Sequence, residues 1–281
     1  MVDKAAAWTS HDVVAKLRGI LGTRKVGHAG TLDPDATGVL LVGVGRVTRL
    51  LRFLSAAGKA YDAEIVLGVE TSTLDASGEV TATHDMAEVD EDQVRAAARG
   101  LVGDILQVPP MVSAVKVGGR RLHELARQGI EVERDARPVT VQRFDIAPTA
   151  DPLVWRATVE CSSGTYVRTL AADLGAALGG GAHLRDLRRT RVASFGLDEA
   201  VPVESVSPDR LLTPSEALRD LPAVEASVEL AAAVGHGKVL GLDDLGVAGD
   251  GPWRVVAAGG DLLAVYEADG KGAAKPAVVL V

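Results

Sequence analysis

The groups best able to do chemistry crowd into one short stretch, Gly27-His28-Ala29-Gly30-Thr31-Leu32-Asp33-Pro34-Asp35-Ala36-Thr37-Gly38, which sets an imidazole and two carboxylates in a glycine-rich loop. A carboxylate offered on such a loop can act as a nucleophile or as a base. Nucleotide binding by either common route is excluded, because the Gly-Lys-Ser/Thr ending of a phosphate-binding loop and the dinucleotide fingerprint are both missing. Taken alone, Asp33-Pro34 reads as a turn. His28 and His183 bring no companion ligands for a metal. The single cysteine, Cys161, can form neither an internal disulfide nor a CxxC-type zinc site, and it reads as a buried structural thiol.

The elements that must carry these residues are legible from periodicity and punctuation. Ser10 is placed to cap a helix with Val13, Val14, Leu17 and Leu21 on one face and Gly22 just beyond its end. Residues 61–67 alternate, with Tyr61, Ala63, Ile65 and Leu67 on one face of a half-buried strand, so periodicity alone assigns Tyr61 to the core. Residues 75–78 form a turn and a helix lies near 90–100. After Pro109-Pro110 a short extended piece, 113–117, turns at Gly118-Gly119 into a basic helix over 120–128, which Gly129 stops. Strands follow at 139–146 and 153–161. Beyond Gly164 the chain passes from extended into a helix containing Leu170, Leu174 and Leu178. Prolines 202, 208, 214 and 222 mark a connecting segment. Two strands flanking Gly259-Gly260-Asp261 and a last one at 277–281 then make a small β domain. Without regular βαβ alternation the fold class is α+β, a mixed-sheet catalytic domain with flanking helices. The expected divisions are 1–205, a linker at 206–221, and 222–281.

At 281 residues and 47% apolar content the chain can bury one large core and one small one. No run approaches the roughly 20 apolar residues of a membrane span, and residues 1–9 lack the order of a signal peptide. A cytoplasmic protein without membrane contact is expected. The net charge of −8 is divided unevenly. Residues 1–60 carry +5 and 113–191 carry +4, against −9 for 61–112 and −8 for 192–281. Two basic blocks could thus meet as one electropositive face, although charge bias alone is more often ordinary solvated surface.

With these elements placed, the 27–38 loop closely resembles the signature loop of the TruB pseudouridine synthases, G-H-x-G-x-L-D-P-x-A-T-G. Four further segments resemble family motifs, in family order, across residues 9–191. They are Lys59-Ala60-Tyr61 and Gly164-Thr165-Tyr166-Val167-Arg168-Thr169-Leu170, together with Gly181-Ala182-His183 followed by Leu187-Arg188-Arg189. The fourth runs from Pro109-Pro110 through Ser113-Ala114-Val115-Lys116 to Ala126-Arg127-Gln128-Gly129 and resembles the mobile RNA-clamping insertion, about 109–137.

The resemblance implies a pseudouridine-synthase-like sheet and a PUA-like C-terminal module. It makes Asp33 the nucleophile and gives His28 the task of holding the target nucleotide out of its loop. Tyr61 would stack on the flipped base and accept a proton in the last step, with Leu187 packed against it. Tyr166 is counted with the RNA-binding residues, and Lys59 either contacts phosphate or is simply solvated. Lys116, Arg120, Arg121 and Arg127 would hold RNA phosphates. If Tyr166 and Arg168 lie on an extended piece, both face one way, and Arg168 can pair with Asp33 and keep its pKa low. Asp33 could attack C1′ of the ribose or C6 of the base, or take the C2′ proton.

Three departures accompany the match. The family's K-P-x-G-x-T-S start stands here as Lys4-Ala5-Ala6-Ala7-Trp8-Thr9-Ser10. The apolar strand that usually precedes it is missing, which leaves the first sheet strand and the true N-terminus open. His123 replaces a tyrosine of the insertion, and Asp35 adds a second carboxylate. The function implied is isomerisation of the uridine at position 55, in the T-loop of tRNA, with no metal or cofactor. The T-arm would be the partner of a monomer that needs no other protein. A non-catalytic tRNA-folding chaperone using the same surface is the rival reading.

Overall fold

The alternating strand is realised at the centre of the molecule. The computed structural model describes residues 1–281. Its first part comprises β1 (Val2–Lys4), α1 (Ser10–Ile20), β2 (Val26–His28), β3 (Thr37–Leu40), β4 (Val42–Val44), β5 (Lys59–Leu67) and α2 (Glu91–Gly100). There follow β6 (Gly103–Gln107), β7 (Arg137–Pro148), β8 (Val154–Cys161), α3 (Val167–Ala177), β9 (Ala182–Val192), β10 (Phe195–Gly196) and β11 (Val201–Pro202). Eight of these strands form one mixed sheet in the order β11-β1-β3-β9-β5-β8-β7-β6, with β10 paired beside β9. On β5 the residues Tyr61, Ala63, Ile65 and Leu67 are all buried, as the alternation requires. They share one core cluster with Val13, Val14 and Leu17 of α1, Val94 and Ala98 of α2, and Leu170, Ala171 and Leu174 of α3. Burial of a residue such as Ile65 or Leu67 stabilises by about 1.5–3 kcal/mol.

Several local readings are corrected. A first strand is present: Val2 and Asp3 pair with β11, and residues 2–4 pair with β3. Three residues are too few to show a periodicity, but they suffice between two partners. The cap of α1 is Thr9, locked with Asp12 in a reciprocal capping box. Ser10 is released for another task, its hydroxyl accepting from Leu32 N at 2.9 Å and donating to Leu32 O at 3.1 Å. In the insertion the helix is only Leu122–Ala126, because Arg120–Arg121 pairs with Lys116–Val117 across the Gly118-Gly119 turn. Finally, Arg168 lies in the first turn of α3 rather than on a strand, with Tyr166 extended at the N-cap.

Cys161 ends β8 opposite Lys59 of β5 and Val141 of β7, almost fully buried. Burial pushes its thiol up to about 11. No helix is long and apolar enough to cross a membrane.

The second part is a five-stranded sheet made of β12 (Ala223–Glu225), β13 (Leu240–Gly241), β14 (Trp253–Val256), β15 (Leu262–Ala268) and β16 (Ala273–Val279), in the order β12-β14-β15-β16-β13. One face packs with α4 (Val228–Gly235) through Val234, Trp253, Val255, Leu263 and Tyr266. The other face meets the first part, where Leu262, Val265 and Val278 pack with Leu50 and Leu218. Residues 262–266 are therefore buried on both faces, which explains their continuous apolar run. The proline-bearing stretch before this sheet is held in place, since Arg219 stacks over Phe195 at 4.1 Å and pairs with Glu199.

Candidate active site

The 27–38 loop is fastened from four directions. Lys4, almost fully buried, donates to the carbonyls of Ala5 (2.9 Å), Trp8 (2.6 Å) and Pro34 (2.8 Å). Burial lowers its pKa to about 8 against the opposing pull of Asp35 and Asp33. Ser10 holds Leu32 as described. Arg189 of β9 donates to Gly30 O at 3.3 Å, Thr31 O at 3.4 Å and Val39 O at 2.7 Å. The fourth anchor is Arg168, whose Nε lies 3.2 Å from Asp33 Oδ2 and whose Nη2 lies 3.4 Å from Oδ1.

Gly38 shows how tightly the loop is keyed into the sheet. At φ +102 it sits in the region that favours glycine, and a Cβ there would stand 2.2 Å from the Arg189 carbonyl oxygen.

Arg168 is shared. Its Nη1 also reaches Asp75 Oδ2 and Thr73 O, each at 3.1 Å, and its Nη2 donates to Val112 O of the insertion at 2.8 Å. One guanidinium thus joins the loop, the 71–78 turn and the insertion while only 5% of its side chain is exposed. The expectation that Arg168 keeps the Asp33 pKa low is corrected in its net direction. Asp33 lies above the ordinary carboxylate value, because burial raises it and Asp75 adds a like charge, together outweighing the lowering by Arg168. Its side chain is still 41% exposed, and that open surface faces the cleft.

That cleft is a cavity of about 250 Å³ that brings together Asp33, Lys59, Tyr61, Tyr166, Arg168 and Leu187. Tyr61 is buried in the core cluster and lines the cavity at the same time, so the core and site readings of it both apply. Burial raises its pKa and Arg189 works against that rise. Lys59 is not solvated. It is buried, its ammonium donates to Ser55 O (3.1 Å) and Ala57 O (2.8 Å), and burial lowers its pKa to about 8.

The remaining candidates stand outside the cavity. His28 lies at the end of β2, its ring edge-on to His11 with centroids 5.5 Å apart and its Nδ1 buried without a partner. Burial, then the neighbouring His11, lowers its pKa. Lys116, Arg120, Arg121 and Arg127 are exposed on the insertion, and none is in an ion pair. His123 folds back, its Nδ1 donating to Ser113 O at 3.0 Å. His183 is likewise committed, to Val69 O at 2.9 Å.

Sequence reading missed Asp75, Arg189, Lys4 and Ser10 as parts of this site. Asp75 looked like a turn residue, and it does hold that turn through Ser77 N and the Ser77 and Thr73 hydroxyls. Nothing in its spacing points to Arg168. Arg189 could have been suspected from its place in a quoted family segment.

Comparison with known proteins agrees with this architecture. The sequence model for the N-terminal domain of TruB family pseudouridylate synthases matches residues 18–167, and that for the tRNA pseudouridylate synthase B C-terminal domain matches residues 168–221. A tRNA pseudouridine synthase B from an Arthrobacter species is 46% identical, covering 99% of this chain and 95% of that protein. One from Corynebacterium aurimucosum is 52% identical, covering 85% and 83%. Among solved structures, a chain of a Cbf5-Nop10-Gar1 complex superposes with a TM-score of 0.74 at 29% identity, over 95% of this chain and 77% of that one. A chain of an H/ACA RNP bound to a substrate RNA containing 2′-deoxyuridine gives a TM-score of 0.71 at 25% identity, over 95% and 76%. Sheet and cleft together define the pseudouridine synthase fold. The chain belongs to the TruB family of pseudouridylate synthases.

Proposed function

We propose that this enzyme converts the uridine at position 55, in the T-loop of tRNA, to pseudouridine, with Asp33 as the nucleophile. Isomerisation of uridine in tRNA follows from family membership and from relatives named for that activity. The observation that carries the finer reading is the meeting of the Asp33 carboxylate, the Arg168 guanidinium and the Tyr61 ring in one cavity whose loop is fastened at Gly30, Thr31, Leu32 and Pro34.

In the reaction the C1′–N1 bond breaks, the base turns, a C1′–C5 bond forms, and the C5 proton leaves while N1 gains one. Atoms and electrons balance within the nucleotide, so no oxidant or energy source is consumed. Asp33, ionised and held by Arg168, can attack C1′ or C6 or take the C2′ proton. Tyr61, on the cavity wall, can stack on the flipped base and receive the C5 proton. Because a base in a folded loop must be extruded to reach Asp33, exposed Lys116, Arg120, Arg121 and Arg127 would hold the phosphates beside the opening. In this reading residues 1–205 carry the chemistry, 206–221 connect, and 222–281 form a PUA-like RNA-binding module.

The test is sequencing of a tRNA transcript for pseudouridine after incubation with purified protein, beside a transcript carrying cytidine at position 55. Modification confined to position 55 and lost in Asp33→Asn supports the reading. Modification elsewhere overturns the site, and turnover retained by Asp33→Asn overturns the nucleophile. Refolding of tRNA arms with no modification would instead favour the chaperone.

A further inference from the structure

Arg189 is a fully buried cation with no carboxylate within ion-pairing distance. Such a charge is costly to bury, and three carbonyl acceptors compensate it only in part. Its placement in the sheet is specific. Arg189 stands directly opposite Tyr61 of β5 on one side and Gly38 of β3 on the other, beside a bulge of β9 between residues 189 and 191. Residues opposite each other across an antiparallel ladder share a face, and a bulge re-aims the side chains next to it. Arg189 and Tyr61, opposite one another in the ladder, both line the cavity.

We propose that Arg189 is a positioning residue for the isomerisation: one side chain that fixes the Asp33 loop at Gly30 and Thr31 and sets the Tyr61 hydroxyl against an uncompensated positive charge, so that Tyr61 can accept a proton. The proposal rests on the catalytic reading above and deepens it. Backbone and side chain act together, the backbone keying Gly38 while the guanidinium ties down Gly30, so both ends of the loop are registered on the strand that faces the tyrosine.

The other charged and titratable groups around this pair do not supply the same effect. Asp33 and Arg168 across the cavity largely offset one another, Lys59 is turned to carbonyls of 55 and 57, and Cys161 is held as a neutral thiol. The Lys4 ammonium is turned to the carbonyls of Ala5, Trp8 and Pro34, and the His28 ring packs against His11 outside the cavity. Arg189 is thus the cation that stands directly opposite Tyr61 on the cavity wall.

The test compares Arg189→Lys, Arg189→Met and Tyr61→Phe, alone and combined, in the full chain. Two measurements are made on each, the single-turnover rate as a function of pH and the ultraviolet titration of Tyr61, isolated by subtracting Y61F from a chain with only three tyrosines. Expected is a loss of about a hundredfold in R189M with partial rescue in R189K, a Tyr61 titration displaced to higher pH in R189M, and a much smaller additional loss when R189M is introduced into Y61F. An unmoved Tyr61 titration, or the same rate penalty with and without the Tyr61 hydroxyl, overturns the proposal and leaves Arg189 as a loop clamp. Should R189M fail to fold, R189K decides. It keeps the charge with fewer donors, so it must leave the Tyr61 titration near wild type while slowing the rate, and a displaced titration would count against the proposal. If wild-type protein makes no pseudouridine, the catalytic reading fails, yet the tyrosine titration still judges Arg189.

Discussion

The 27–38 loop and the insertion at 109–137 both border the Asp33 cavity, and they are held in opposite ways. The loop is tied by side chains from β1, α1, α3 and β9, and Ala29, Leu32 and Ala36 within it are buried. The insertion keeps mainly to itself. Leu122 and Leu125 are buried and belong to none of the larger cores, while Lys116, Arg120, Arg121 and Arg127 are exposed and in no ion pair, Arg120 donating to Gln128 of the same segment at 2.7 Å. The insertion touches the site through Val112 O on Arg168 and through Ser113 and Ala114, which line the cavity. In the proposed function, the groups that would react are fixed before substrate arrives, and the charges that would meet RNA are left free to adapt to it. Pre-organisation and adaptability are divided between adjacent segments of one site.

The largest effect that would sharpen this division is expected from Asp33→Asn. It keeps the loop's shape and removes the proposed nucleophile, so single-turnover pseudouridine formation should fall below about 1% of wild type while tRNA affinity stays within about tenfold. Next is Arg168→Met. It leaves Asp33 and Asp75 facing each other unpaired, which should slow the chemical step by about a hundredfold and lower unfolding free energy by about 3 kcal/mol. Asp33 is already raised by burial, and removal of the arginine raises it further. The rate falls as pH drops through that pKa, so the acid limb of the pH-rate profile should move to higher pH. An unchanged profile would mean that Arg168 does not govern Asp33.

On the other side of the division, Arg120→Ala with Arg121→Ala should leave the chemical step at saturating enzyme unchanged. It should weaken tRNA binding by about tenfold and flatten the log K against log salt slope by about two. An unaltered slope would place both arginines on ordinary solvated surface. The smallest effect belongs to the C-terminal sheet, where residues 222–281 carry a net charge of −4. Arg254 is already engaged with carbonyls of Leu221 and Ser215. Lys271→Glu with Lys275→Glu should therefore cost at most about threefold in tRNA affinity. A hundredfold loss would make this sheet a principal anchor. Ending the chain near Asp220 is a poorer experiment, because it would uncover Leu50 and Leu218 along with Val47 and Phe53.

What could be read from sequence followed the range of the interaction. The Tyr61 alternation, the 90–100 helix and the hairpin around Gly259-Gly260 depend on neighbours a few residues away, and they stand where periodicity and turn residues put them. The reaching residues did not announce themselves. Lys4 acts on a carbonyl 30 positions away, Asp75 on Arg168 93 away, and Arg189 on Gly30 159 away. Such contacts are decided by strand order, which one sequence does not display. Misreading Ser10 as the cap had a local cause. Thr9 and Ser10 are both good caps, and Asp12, which closes the capping box with Thr9, together with the Leu32 backbone, which engages Ser10, selects between them.

The lone cysteine makes the central sheet a clock of its own opening. Cys161 lies between β5 and β7, one strand away from Tyr61, and its buried thiol is poorly ionised. A maleimide or other alkylating reagent can reach it only when the core packed over the sheet opens. Each alkylation is irreversible and each molecule carries one thiol, so the accumulated mass shift gives the fraction of molecules that have opened and reacted. The same reaction followed with tRNA bound would show whether substrate closes the sheet around the catalytic cleft or leaves its fluctuations untouched.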